Sequence, residues 1–170
     1  MYALFQASVV LLIHLWAAAV LQQGVRELPR FDEYRVDDSY HGSPATLNTT
    51  NSKLARAYRT RLREGAKKGP NFAGHFTLVS WGCGSSCQEW AIIDARTGRV
   101  FDWVVRSTAG SEFYPDSRLL ILDSPKLVRE MFGGSPPVNC AVCGSPDAYE
   151  WVGTEWRPIS GADMSRIRRY

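Results

Sequence analysis

Residues Asn71–Val100 read NFAGHFTLVSWGCGSSCQEWAIIDARTGRV. Phe72, Phe76 and Leu78 alternate with His75, Thr77, Val79 and Trp81, which is the period of an extended strand. Apolar residues fall on both faces, so this is an inner strand that must be covered twice. Gln88–Ala95 and Arg99–Val105 are two further strand patterns, and Thr97-Gly98 between them supplies a flexible hairpin corner. Gly82 and Gly84 frame Cys83 and let the chain turn sharply enough to bring it near Cys87.

Downstream the same grammar continues. Ser117–Asp123 is a fourth strand, and Ala148–Val152 with Glu155–Ile159 forms a last hairpin around Gly153-Thr154. Pro125–Phe132 reads as a short helix capped by Ser124, Gly133–Asp147 as a loop, and Ala162–Arg169 as a closing helical turn. Upstream, Leu54, Tyr58, Leu62 and Ala66 recur at four-residue spacing and predict one helix over Asn51–Lys68. Asn51 or Ser52 can cap it, and Gly69-Pro70 stops it. No strict internal repeat is present. The expected fold is α+β: an antiparallel β-meander sheet of about five or six strands packed by one N-terminal helix.

Residues 51–170 then form a single globular domain, preceded by an arm over 20–50 with extended structure around Phe31–Val36. The first 21 residues differ in kind. Tyr2–Leu21 contains no Asp, Glu, Lys or Arg, and Ala17 and Ala19 have the spacing a signal peptidase reads. Residues 1–19 are therefore expected to be a signal peptide, with a membrane anchor over 2–21 as the rival. Gln6, Ser8 and His14 count against the anchor, as do Arg26 and Arg30 on its far side. The expected location is exported, periplasmic or extracellular. A hydrophobic share of 45% and a charged share of 22% are those of an ordinary globular protein.

The runs GPNFAGHFTLVSWGCGSSC, AIIDARTGRV, PDSRLLIL and YEWVGTEW resemble, in this order, a family of small exported bacterial proteins of uncharacterised function. The likeness covers roughly residues 54–159, and its central segment is the specific part. It implies an exported β-rich domain and no particular chemistry. Cys140 and Cys143 are not part of the family pattern.

Four cysteines in an exported chain predict two disulfides. Cys83–Cys87 with Cys140–Cys143 is the simplest of three connectivities. A five-residue loop contributes about 2 kcal/mol on the chain-entropy model and a pairing such as Cys83–Cys140 about 4, so energetics leave the choice open. A four-cysteine zinc site and a redox pair at Cys140-Ala-Val-Cys143 are the rival readings. No metal and no cofactor is expected.

His75 is the only histidine of the compact region, and beside Gly74 it is a candidate base or hydrogen-bonder. Asp94 is its candidate acidic partner, although turn capping explains Asp94 as well. No phosphate loop, serine elbow or His-Glu-x-x-His motif is present. The helix carries Lys53, Arg56, Arg59, Arg61, Arg63, Lys67 and Lys68 against Glu64 alone, a net +6 in a chain whose total is +3. Arg56, Arg59 and Arg63, with Trp81, are the candidate binding residues for an anionic lipid, a cell-wall polymer or an acidic partner. Nucleic acid is not expected outside the cytoplasm, and membrane contact is expected only through the N-terminal segment or the basic helix. The functional expectation is a non-enzymatic envelope protein that binds a protein partner or cell-wall glycan. The alternative is a hydrolase of envelope polymers using His75 and a nearby carboxylate.

Overall fold

A computed structural model describes residues 27–50, 52–140, 143, 145–159 and 161–170; the expected signal segment and Asn51 lie outside them. The chain is α+β, but it builds two antiparallel four-stranded sheets in place of the expected single sheet of five or six strands. The first contains β1 (Phe76–Gly84), β2 (Cys87–Asp94), β3 (Val100–Ser107) and β8 (Ile167–Arg169), in the order β1-β2-β3-β8. The second contains β4 (Ser111–Glu112), β5 (Leu119–Leu122), β6 (Asp147–Trp151) and β7 (Trp156–Ile159), in sequence order.

The division has a clear cause. β1, β2 and β3 carry apolar side chains on both faces, so each face needs its own cover. Phe76, Leu78, Ile92, Phe101 and Val105 pack against Leu120, Leu122, Tyr149, Trp151 and Trp156 of the second sheet. Val79, Trp81, Ala91, Ile93, Val100 and Val104 point the opposite way, onto helices. The sheets separate at Thr108–Gly110, where Gly110 takes a φ of +125°. The Asp123 carboxylate accepts backbone N–H groups from Thr108, Ala109 and Gly110 there. β4 and β8 escape sequence reading because they are two and three residues long.

The expected N-terminal helix is two helices, α1 (Lys53–Ala57) and α2 (Arg59–Ala66). They break at Tyr58, with φ −114° and ψ 27°, where the Tyr58 ring stacks on Trp81 at 4.5 Å between centroids. Ser52 is the cap: its Oγ accepts the Ala55 N–H at 2.9 Å. Leu54 and Leu62 are fully buried against the first sheet, each contributing about 1.5–3 kcal/mol of transfer free energy. Gly65 brings α2 close to β1, since a Cβ there would collide with Val79. A third helix, α3 (Pro125–Phe132), has the expected Ser124 cap and ends on Gly133 at φ +64°.

The outer face of the second sheet, Leu119, Ile121 and Ala148, is covered by the arm through Leu28, Phe31 and Tyr34. The arm makes a 3-10 turn at Phe31–Tyr34 and one bridge, Arg35 to Ser117, where extended structure was expected. The layers are thus helices, first sheet, second sheet and arm. The expected closing helical turn is a 3-10 turn at Met164–Arg166 that leads into β8.

Both local cysteine pairs are bonded, with Cα separations of 5.1 Å for Cys83–Cys87 and 5.3 Å for Cys140–Cys143. No described cysteine is free, so the zinc reading loses its thiolates. Disulfides fit an oxidising, non-cytosolic setting. No helix among the described residues is long and apolar enough to cross a membrane.

Candidate binding cleft

A cleft of about 800 Å³ opens where the first sheet meets the β6–β7 turn. It is built outward from β3. Phe101 and Trp103 are two residues apart and so share the face turned towards the second sheet. Trp103 donates its indole N–H to the Thr154 carbonyl at 3.0 Å, which ties the β6–β7 turn to the cleft wall. Gly153 of that turn has φ +90° and open space where a Cβ would stand, so it leaves the mouth wide.

Two guanidinium groups lie on these rings. Arg99 sits 4.7 Å from the Phe101 ring centroid and Arg169 sits 5.3 Å from that of Trp103. Arg169 is brought in by the register of β8, in which it stands directly opposite Trp103. Both arginines are exposed, and neither makes an ion pair or side-chain hydrogen bond among the described residues. Their donor edges are free to meet a ligand.

His75 and Asp94 line the same cleft. His75 is partly buried, with its ring 4.0 Å from that of Phe76. Burial, followed by the nearby Arg96 charge, pushes its imidazole below the ordinary pKa, while Asp94 and Asp38 pull the other way. The imidazole makes no side-chain hydrogen bond among the described residues. Asp94 is committed elsewhere: one oxygen accepts the Arg96 N–H at 2.8 Å and the other the Thr97 hydroxyl at 2.8 Å. Asp38 is held by Arg96 at 2.6 Å. Asp102, also in the lining, accepts from Ser52 Oγ at 2.5 Å and from the Leu54 N–H at 3.2 Å, anchoring the start of α1. The acids here shape turns and caps.

The other residues singled out from sequence go elsewhere. Arg56, Arg59 and Arg63 are exposed on α1 and α2. Trp81 does not share their surface: it is 7% exposed, and its indole N–H is bonded to Glu89 at 3.0 Å. Among the described residues no group of His, Cys, Asp and Glu is placed to hold a metal ion. Sequence reading passed over Arg99, Phe101, Trp103 and Arg169 as a site. The alternation Arg99-x-Phe101-x-Trp103 was a usable signal, whereas Arg169 enters from the far end of the chain. No family model, curated protein or solved structure matches this chain.

Proposed function

We propose that this protein is a non-enzymatic binding module of the cell envelope that holds a cell-wall glycan in the cleft. The observation that carries this reading is the pair of uncommitted guanidiniums on aromatic faces, Arg99 on Phe101 and Arg169 on Trp103, in an open cleft of about 800 Å³. Flat aromatic surface suits sugar rings, and free guanidinium edges suit hydroxyl or carboxylate oxygens. The committed state of Asp94 supports binding over catalysis, because a general base needs an oxygen within reach of its proton. The two disulfides and the resemblance to exported proteins support the envelope setting.

The test is titration of the purified protein with solubilised peptidoglycan fragments, read by tryptophan fluorescence and calorimetry. Arg169→Ala should weaken binding about tenfold, as loss of a charge-assisted contact does. If no fragment binds while an envelope protein is captured through Arg99 and Arg169, the partner is a protein.

A second reading keeps one supporting observation: His75 and Asp94 line one cleft. As a hydrolase, the protein would use His75 to activate water on a bound polymer. Release of reducing ends from peptidoglycan, abolished by His75→Asn, would establish it.

A further inference from the structure

Cations are unevenly matched on this molecule. Among the described residues nine Lys and Arg side chains make ion pairs. Ten make none, and seven of these ten lie on α1, α2 and the two residues that follow, all of them exposed. The other three are Arg129 and the cleft residues Arg99 and Arg169. Glu64 is the single carboxylate among the helix cations, so this element carries a net +6 while the remainder of the chain carries a net −3. A merely solvated helix face in a protein with 17 carboxylates would be expected to take some of them as partners.

The cations also form a line. Arg59, Arg63 and Lys67 follow at four-residue intervals along α2 and its C-cap, whereas Arg56 stands on α1, beyond the break at Tyr58. Neighbours at this spacing on a helix lie about 5–6 Å apart. The line is rigid, because Leu54 and Leu62 are fully buried beneath it and Gly65 seats α2 tightly on β1. A groove of about 230 Å³ between α2 and Pro44–Leu47 runs beside Arg63 and Lys67. The only uncharged residues exposed on the two helices are Ala57 and Thr60. A bilayer surface would be met by a helix that offers an apolar wedge, and a folded protein partner by an aromatic or aliphatic anchor; neither is here.

We infer that α1–α2 is a docking strip for a linear polyanion, a polymer bearing one phosphate or carboxylate about every 5–6 Å. This surface is separate from the cleft and does not rest on the glycan reading of it.

The experiment measures binding of the purified protein to poly(glycerol phosphate) and to polygalacturonate, with dextran as the neutral polymer and phosphatidylglycerol vesicles as the membrane surface. At least one polyanion should bind, dextran should not, and affinity should fall by about tenfold or more from 50 to 300 mM NaCl. Preference for the first names phosphate as the recognised group; preference for the second names carboxylate. The triple change Arg59→Glu, Arg63→Glu, Lys67→Glu should abolish binding at an unchanged thermal midpoint. If that variant does not fold, the triple Gln variant should weaken binding, and the pair Arg59→Lys, Arg63→Lys should preserve it. Arg99→Glu with Arg169→Glu, in the cleft, should leave polyanion binding intact. Binding to vesicles but to neither polymer, polyanion binding that survives charge reversal, or its loss in the cleft variant alone would each overturn the proposal.

Discussion

Trp81 and Glu89 stand directly opposite each other across the β1–β2 pair, and the buried Glu89 carboxylate accepts the Trp81 indole N–H at 3.0 Å. Its other oxygen accepts from Arg106 at 3.0 Å and from Arg168 at 3.2 Å. A carboxylate only 2% exposed thus ties all four strands of the first sheet together, because Trp81 is on β1, Glu89 on β2, Arg106 on β3 and Arg168 on β8. Such a group is tolerated in the interior only when its oxygens are satisfied.

Replacement of Glu89 should therefore be graded. Glu89→Gln retains an acceptor for Trp81 and leaves two arginines that are nearly half exposed and can rehydrate, so the loss should be about 1 kcal/mol. Glu89→Ala strands the indole N–H as well and should cost about 3 kcal/mol. Chemical denaturation of the two variants checks the order. Equal losses would mean that the charge alone matters and the hydrogen-bond frame does not.

Arg166 is held at 2.8 Å by Asp123 and at 3.0 Å by Asp147, and both carboxylates are buried. Arg166→Ala leaves two buried acids without their cation and should destabilise the fold by about 3 kcal/mol. Arg30→Ala breaks a pair that is exposed on both sides and should leave the thermal midpoint unchanged. A small effect at Arg166 would show that the three backbone donors to Asp123 suffice.

Gly98 combines a φ of +71° with a Cβ position only 2.0 Å from the Thr46 carbonyl oxygen. The Asn48 N–H bonds to the Gly98 carbonyl at 2.8 Å, so this corner also fixes the arm. Gly98→Ala should cost more than about 1 kcal/mol and raise hydrogen exchange across residues 45–48. Normal protection of the arm in this variant would contradict the assignment.

Tyr170 and His75 make stability depend on pH in opposite ranges, alongside the lowered carboxyls of Asp38 and Asp163 and the raised Tyr34 phenol. The Tyr170 phenol is pushed up to about 12, first by burial and then by its hydrogen bond with Tyr58, from an ordinary 10.0. The unfolded chain loses this proton first as pH rises. The stabilisation is thus complete below about 10 and is lost as pH rises through about 12. His75 behaves in reverse, because its pKa is lowered from 6.5: the unfolded state binds the proton first, so stability declines as pH falls below the ordinary imidazole value. Tyr170→Phe should flatten the alkaline limb and His75→Gln the acid limb of a stability–pH curve. An unchanged curve in either variant removes that group from the account.

The disulfide at the β1–β2 tip closes a very short loop. Cys83→Ser with Cys87→Ser should lower stability by about 2 kcal/mol on the chain-entropy model. The core beneath should keep its near-ultraviolet spectrum, because Cys83 is exposed at the tip. Global unfolding of this variant would mean that the bond organises the hairpin rather than trims its unfolded ensemble.

What the sequence determined by itself was local. Period-two alternation located β1, β2, β3, β5 and the β6–β7 hairpin within a few residues, and Ser52, Ser124 and Gly133 act as caps through their own side chains or backbone freedom. The two short cysteine loops paired as their spacing suggested. Tertiary structure decided what no local pattern encodes. That β1–β3 are covered by a second sheet, and not by one helix alone, follows from apolar residues on both their faces, but which segment supplies the cover depends on packing at a distance. β8 exists because β3 offers an open edge, and it carries Arg169 onto Trp103 from 66 positions along the chain. The local β1–β2 register buried Trp81 against Glu89, and the register of β3 with β8 left Arg99 and Arg169 on aromatic rings without ion pairs in the cleft. Side chains far apart in sequence meet only after the backbone hydrogen bonds of the sheets have set their register.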